Sequence, residues 1–146
     1  MIENGKKTGK THTRWALWLP VALWMVAIFT LSGISIQDER VEFFRFQDKI
    51  IHLLEFGVLG LLMVRAAYLD GSRSRRAYWW CIGLAMLYGA LDELHQYYVP
   101  GRTVELADVA ADGLGVFLLA WAYLASRGER LFQKRSKSEK MEFITR

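Results

Sequence analysis

The stretch from Tyr88 to Gly115 (YGALDELHQYYVPGRTVELADVAADGLG) constrains this chain more than any other. It sits between apolar runs long enough to be buried in lipid. Yet it holds Asp92, Glu93, His95, Gln96, Arg102, Glu105, Asp108 and Asp112. A charge at the centre of a membrane helix costs about 2.5–3.5 kcal/mol on insertion scales. Such side chains face a bundle interior or a water-filled cavity, so any function has to begin from them.

The rest of the chain sets the frame. At 146 residues it is one domain by length. Hydrophobic residues make up 53% and charged residues 23%, and the charges gather at the termini and in short connectors. Apolar blocks with charged punctuation are a membrane pattern, not the alternation of a soluble domain. The net charge of +4 does not indicate nucleic acid, because the basic residues flank apolar spans and form no aromatic-interleaved basic face. Cys81 is the only cysteine, so no internal disulfide forms, and its apolar surroundings make it a small hydrophobe.

In chain order, Met1 to Arg14 is a polar, basic tail. The run Trp15–Leu31 follows as a first transmembrane helix, with Pro20 expected near its first turn. A basic segment before an apolar run also describes a signal peptide. The bulky aromatics and the lack of a small-x-small cleavage site favour a retained helix. Ser32–Gln47 mixes charges with phenylalanines and suits a short interfacial segment. Asp48–Leu69 reads as the second helix, with Asp48, His52 and Glu55 on one face, Lys49 snorkelling to the interface, and Gly57 and Gly60 allowing close approach. The third helix runs from about Ala77 to Tyr98. Asp92, His95 and Gln96 share one of its faces, and Glu93 is offset by about 100°. The fourth, Val104–Leu124, carries Asp108 and Asp112 four apart, with Thr103 expected as its N-cap and Gly113 and Gly115 thinning it. Beyond Ala125 the chain is polar and basic.

Lysine and arginine set the orientation. The N-terminal tail has four, the Arg65–Arg76 connector four and the C-terminal tail seven, against four at the other ends (Arg40, Arg45, Lys49, Arg102). Fifteen against four predicts four spans with both termini in the cytoplasm. At about 1.5 Å per residue, His52 and Glu55 then lie about 6 and 10 Å below Asp48, Asp92 about 12 Å before Pro100, and Asp112 about 13 Å after Val104. Three helices thus bring polar groups to similar depths in the outer half of the bilayer.

The pairing of DKIIHLLEFGVLG with DELHQYYVPGRTVELADVAADGLG resembles the VanZ-like family of bacterial membrane proteins, over about residues 15–125. DE-x-HQ, then PGR, then D-x-x-x-D-x-x-G in this order carries the resemblance. It implies that the family's characteristic polar residues are Asp48, Lys49, His52, Asp92, Glu93, His95, Gln96, Arg102, Asp108 and Asp112. Glu55 stands at a more variable position. The proline that the family often has in the first connector is missing from Ser32–Gln47. The resemblance implies a four-helix membrane domain and a tie to glycopeptide (teicoplanin) response, without an established reaction. The expected fold is therefore all-α, an integral membrane four-helix bundle: a 1–14 cytoplasmic tail, a 15–125 VanZ-like transmembrane domain and a 126–146 basic cytoplasmic tail, multi-pass in the bacterial inner membrane.

The clustered carboxylates cannot all stay ionised in low dielectric without cations nearby. Lys49 and Arg102 neutralise them in a structural network, or a divalent metal does, or a carboxylate and a histidine are poised for acid–base work on a lipid-linked substrate. With no H-E-x-x-H and no cysteine set, no metal ligand set is assigned and no cofactor is expected. No serine falls in the cluster, which leaves nucleophilic serine out. If there is a reaction, His52 or His95 is base or nucleophile, with Asp92, Glu93, Asp108 and Asp112 completing the catalytic set. Asp48, Lys49, Glu55, Gln96 and Arg102 contact substrate, with Arg102 and Lys49 holding a phosphate or carboxylate. The expected partner is a membrane lipid or lipid-linked envelope substrate, not nucleic acid; the sequence assigns no oligomeric state. The alternative is a non-enzymatic membrane factor whose polar cluster organises helices or binds a partner. A transporter ranks third, because four helices seldom enclose a pathway alone.

Overall fold

The computed structural model describes residues 12–34 and 46–144, with side chains over 14–34 and 46–128. Most of the N-terminal tail and of the expected interfacial segment lies outside the described residues. Four helices form: α1 (His12–Ser32), α2 (Gln47–Leu69), α3 (Arg75–Gln96) and α4 (Leu106–Ile144). Because α1 begins at His12, Pro20 falls in the helix interior rather than near the first turn. Its ring leaves the Ala16 carbonyl without its helical donor, a loss that membrane helices tolerate. Helix α4 outruns its expected end by twenty residues. The segment after Gly128 contains no proline and is rich in Glu, Arg, Lys and Gln, all good helix formers.

The connectors explain the helix ends. The Ser74 hydroxyl caps α3 by accepting the Ala77 N–H at 3.1 Å, after Gly71 turns the chain at φ +94°. At the other end of α3, Val99–Pro100–Gly101–Arg102 makes a tight turn. Gly101 adopts φ +83° and the Arg102 N–H donates to the Val99 carbonyl at 3.2 Å. Proline followed by a left-handed glycine is the signature of a type II turn. Helix α4 starts three residues beyond Thr103, so Thr103 stands in the connector and is not the N-cap.

Contacts fix the helix directions: α1 and α2 run antiparallel, whereas α2 runs parallel to α4 and α1 parallel to α3. Arg14 near the start of α1 pairs with Asp70 at the end of α2. The Arg127 guanidinium of α4 lies over Tyr68 and Tyr123, at 5.5 and 5.0 Å from the ring centroids. At the opposite end, Lys49 of α2 meets Glu105 and Asp108 at the start of α4, and His95 near the end of α3 stacks on Phe29 of α1.

Helices α2 and α4 form the tightest pair because both are stripped of side chains at their crossing. A Cβ on Gly115 would stand 2.0 Å from the Leu53 carbonyl oxygen, and one on Gly60 2.9 Å from that of Val116. Small residues that let backbones touch are how helices associate where lipid supplies no hydrophobic drive. Phe56, Leu59, Val64, Val116 and Ala120 fill the seam. Helix α1 is held by polar handles: the Trp24 indole N–H donates to the Glu55 carbonyl at 2.9 Å, and the Tyr88 hydroxyl to that of Met25 at 2.8 Å.

The burial pattern is inside-out. Leu19, Leu23 and Val26 of α1, Ile51 and Leu54 of α2, and Phe117, Leu118 and Trp121 of α4 are exposed, while His52, Asp92, Glu93, Gln96, Asp108 and Asp112 are buried. In water such a surface would aggregate; in lipid it is matched. Three helices, over Arg14–Ser32, Gln47–Leu69 and Leu106–Gly128, are long and apolar enough to cross a membrane. Helix α3 is less apolar because of Arg75 and Arg76 at its start and Asp92 and Glu93 near its end, but its 22 residues reach about 33 Å. Its exposed Trp79, Trp80, Leu84, Leu87, Leu91 and Leu94 match the outer faces of the other helices. The fold is an all-α, integral-membrane four-helix bundle.

Candidate functional site

Counted from the observed helix ends, His52 lies about 8 Å inward along α2, Asp92 about 6 Å and Asp112 about 9 Å. These depths agree within one helical turn, so the groups form one polar layer beneath one end of the bundle. The layer divides into three groupings.

The innermost joins α2, α3 and α4. His52 Nδ1 lies 3.0 Å from Asp112 Oδ1 and 3.7 Å from Glu93 Oε1. His52, Glu93 and Asp112 are 7%, 2% and 1% exposed, so solvent barely screens their charges. Both Glu93 oxygens and Asp112 Oδ2 lack a hydrogen-bond partner. Gly89 makes room for Asp112, since a Cβ there would come within 3.0 Å of Oδ2.

The second grouping lies nearer the surface. Lys49 Nζ is 2.7 Å from Asp48 Oδ2, 2.7 Å from Glu105 Oε2 and 3.0 Å from Asp108 Oδ1. Three carboxylates around one ammonium satisfy it, so Lys49 does not turn outward to the lipid interface as its place on the helix suggested. The third grouping links α1 to α3. The Ser32 hydroxyl donates to Asp92 Oδ1 at 2.7 Å and the Gln96 amide to Asp92 Oδ2 at 2.9 Å. Asp92 and Glu93 are both buried despite their angular offset, because α3 has α1 on one side and α2 with α4 on the other.

Arg102 rides the turn at the mouth of this layer. It is half-buried, its Nε has no hydrogen-bond partner, and among the described residues no carboxylate forms an ion pair with it. Glu55 is half-buried and within electrostatic reach of His52, Asp92, Asp112 and Arg102. His95 takes no part in the His52 grouping. Its ring lies 4.3 Å from that of Phe29 and faces α1.

Sequence comparison places this geometry in a family: the profile described as VanZ/LLP1 matches residues 3–127. The chain belongs to the VanZ/LLP1 family. The match takes in every residue of the three groupings. No curated protein and no solved structure matches the chain.

Within this VanZ/LLP1 bundle, the residues singled out by sequence separate by partner. His52 meets Glu93 and Asp112; Lys49 meets Asp48 and Asp108; Asp92 meets Gln96; Arg102, Glu55 and His95 stand apart. Two further residues belong with them. Glu105 was legible only as a costly charge, and Ser32 fell at an expected helix boundary, so the expectation that no serine enters the cluster is corrected. Helix α1 extends through Ser32, and that extra residue puts its hydroxyl on Asp92.

Proposed function

We propose that this VanZ/LLP1 protein uses the polar layer as an outward-facing pocket, in the outer half of the bilayer, for the anionic head group of an envelope lipid or lipid-linked glycan. Arg102 is the observation that carries the reading. Lys49 is saturated by its own carboxylates, whereas the half-buried Arg102 guanidinium keeps its Nε unpartnered. A guanidinium so placed offers a planar, two-pronged donor set suited to phosphate or carboxylate. The fifteen-to-four distribution of Lys and Arg supports the outward orientation, with both termini cytoplasmic. The name-giving tie of the family to teicoplanin suggests the phenotype to read. Teicoplanin susceptibility is compared in a suitable host for wild type, Arg102→Lys and Arg102→Ala at matched membrane abundance. Both variants are expected to lose the phenotype, because lysine keeps the charge without the fork. Full function in Arg102→Lys would reduce Arg102 to a nonspecific charge and end the reading.

A second reading, a non-enzymatic factor whose buried polar groups organise helices, is favoured by one observation. Each Asp92 oxygen accepts a hydrogen bond, one from Ser32 and one from Gln96, and the Ser32 bond ties α1 to α3.

A further inference from the structure

The two acidic groupings differ in how their charge is met. Around Lys49, three carboxylates share one ammonium, and the nearest oxygens lie at 2.7 Å. At His52, two almost fully buried carboxylates face a single imidazole. Glu93 is the decisive member. It is 2% exposed, turns toward His52, and has neither oxygen hydrogen-bonded. A buried carboxylate left this way is costly unless a cation or proton meets it.

From this geometry we infer that His52, Glu93 and Asp112 form a binding site for a divalent first-row transition cation. One donor atom from each residue lies within 4.8 Å of the other two. Metal–ligand bonds of about 2.0–2.2 Å put neighbouring donors about 3.0 Å apart at right angles and about 3.4 Å apart at the tetrahedral angle. The His52 Nδ1 separations of 3.0 Å to Asp112 and 3.7 Å to Glu93 bracket that range. One imidazole nitrogen with two carboxylate oxygens is a mixed donor set suited to Zn2+ or Mn2+. The cation replaces the proton that otherwise bridges His52 Nδ1 and Asp112, and its two charges balance those of Glu93 and Asp112. Three protein ligands leave coordination positions for water or for an oxygen of a bound head group. No sequence pattern marks the set, because each ligand comes from a different helix.

The inference shares its pocket with the proposed lipid reading but does not need the lipid. The full-length protein is purified in detergent, stripped with chelator, and titrated with Zn2+ alone and with Mn2+ alone. Bound metal is counted by mass spectrometry after gel filtration, and thermal unfolding is followed in parallel. Wild type is expected to hold about one equivalent and to melt higher when loaded. Loss of a mere supporting partner weakens metal affinity about 10–100-fold, so Glu93→Gln and Asp112→Asn are expected to lose at least that much and the thermal response with it. Glu93→Gln is nearly isosteric; if Asp112→Asn does not fold, His52→Gln serves as the second ligand variant. Glu105→Gln and Arg102→Ala are expected to keep the metal. Absence of stoichiometric metal in wild type, or equal binding by the ligand variants, overturns the inference. Lipid retained by a wild type that binds no metal overturns it while leaving the lipid reading standing.

Discussion

His52 and Asp112 meet at 3.0 Å across sixty residues of chain, on two helices whose backbones touch at glycines one turn away. The pairing and the packing are one arrangement. Helices α2 and α4 come close enough for a short imidazole–carboxylate contact because Gly57, Gly60 and Gly115 carry no side chain between them.

Gly115→Ala is therefore expected to disrupt the bundle. Its Cβ would fall 2.0 Å from a backbone oxygen that cannot move aside as a side-chain tip can. Overpacking costs about 1–3 kcal/mol in ordinary cores, and this site belongs at or beyond the upper end. Gly113→Ala meets only the flexible end of Met86, at 3.1 Å, and is expected to stay near wild type. Thermal stability of detergent-solubilised fluorescent fusions compares the two. Equal stability would mean the crossing is looser than described.

Lys49→Met is expected to destabilise more than Glu105→Gln. The first leaves three carboxylates without their shared cation, whereas the second removes one of three. Asp48 and Glu105 are about half exposed and water screens them, so the cost is set mainly by buried Asp108, at about 1–3 kcal/mol. Adding Asp108→Asn to Lys49→Met should recover part of the loss in the same assay. No recovery would place the effect of Lys49 elsewhere.

Ser32→Ala tests the link between α1 and α3. It takes the hydroxyl donor from a buried Asp92 oxygen, which costs about 1–3 kcal/mol. Asp92→Asn keeps an acceptor for Ser32 and is expected to leave membrane abundance closer to wild type. The reverse order would show that the carboxylate charge, not its hydrogen bonds, holds α1.

The architecture was legible because its signals are local. Apolar runs, glycine positions and the Pro100–Gly101 turn each announce themselves within a few residues, and the four helices follow. Helix ends were less so: Pro20 moved inside α1, and α4 ran on through a charged segment whose good helix formers need no apolar face. The composition of the polar layer was also readable, since charges in apolar surroundings stand out. Its partition was not. That Lys49 serves Asp48, Glu105 and Asp108 while His52 serves Glu93 and Asp112 depends on how the helices are rotated about their axes, and that rotation is set by the glycine crossing of α2 and α4. His95 shows the limit most plainly. It shares a helical face with Asp92, yet it stacks on Phe29 and leaves the histidine–carboxylate grouping to His52 alone.

The most direct test of the central claim is native mass spectrometry of the protein extracted from membranes in mild detergent, with the co-purifying lipid identified and counted. Wild type is expected to retain an anionic envelope lipid or lipid-linked glycan, Arg102→Ala to lose it, and Arg102→Lys to retain far less than wild type at equal protein recovery. The same lipid in the same amount on all three proteins would contradict the account, because the pocket would then have no specific use for the half-buried Arg102 guanidinium whose Nε has no hydrogen-bond partner.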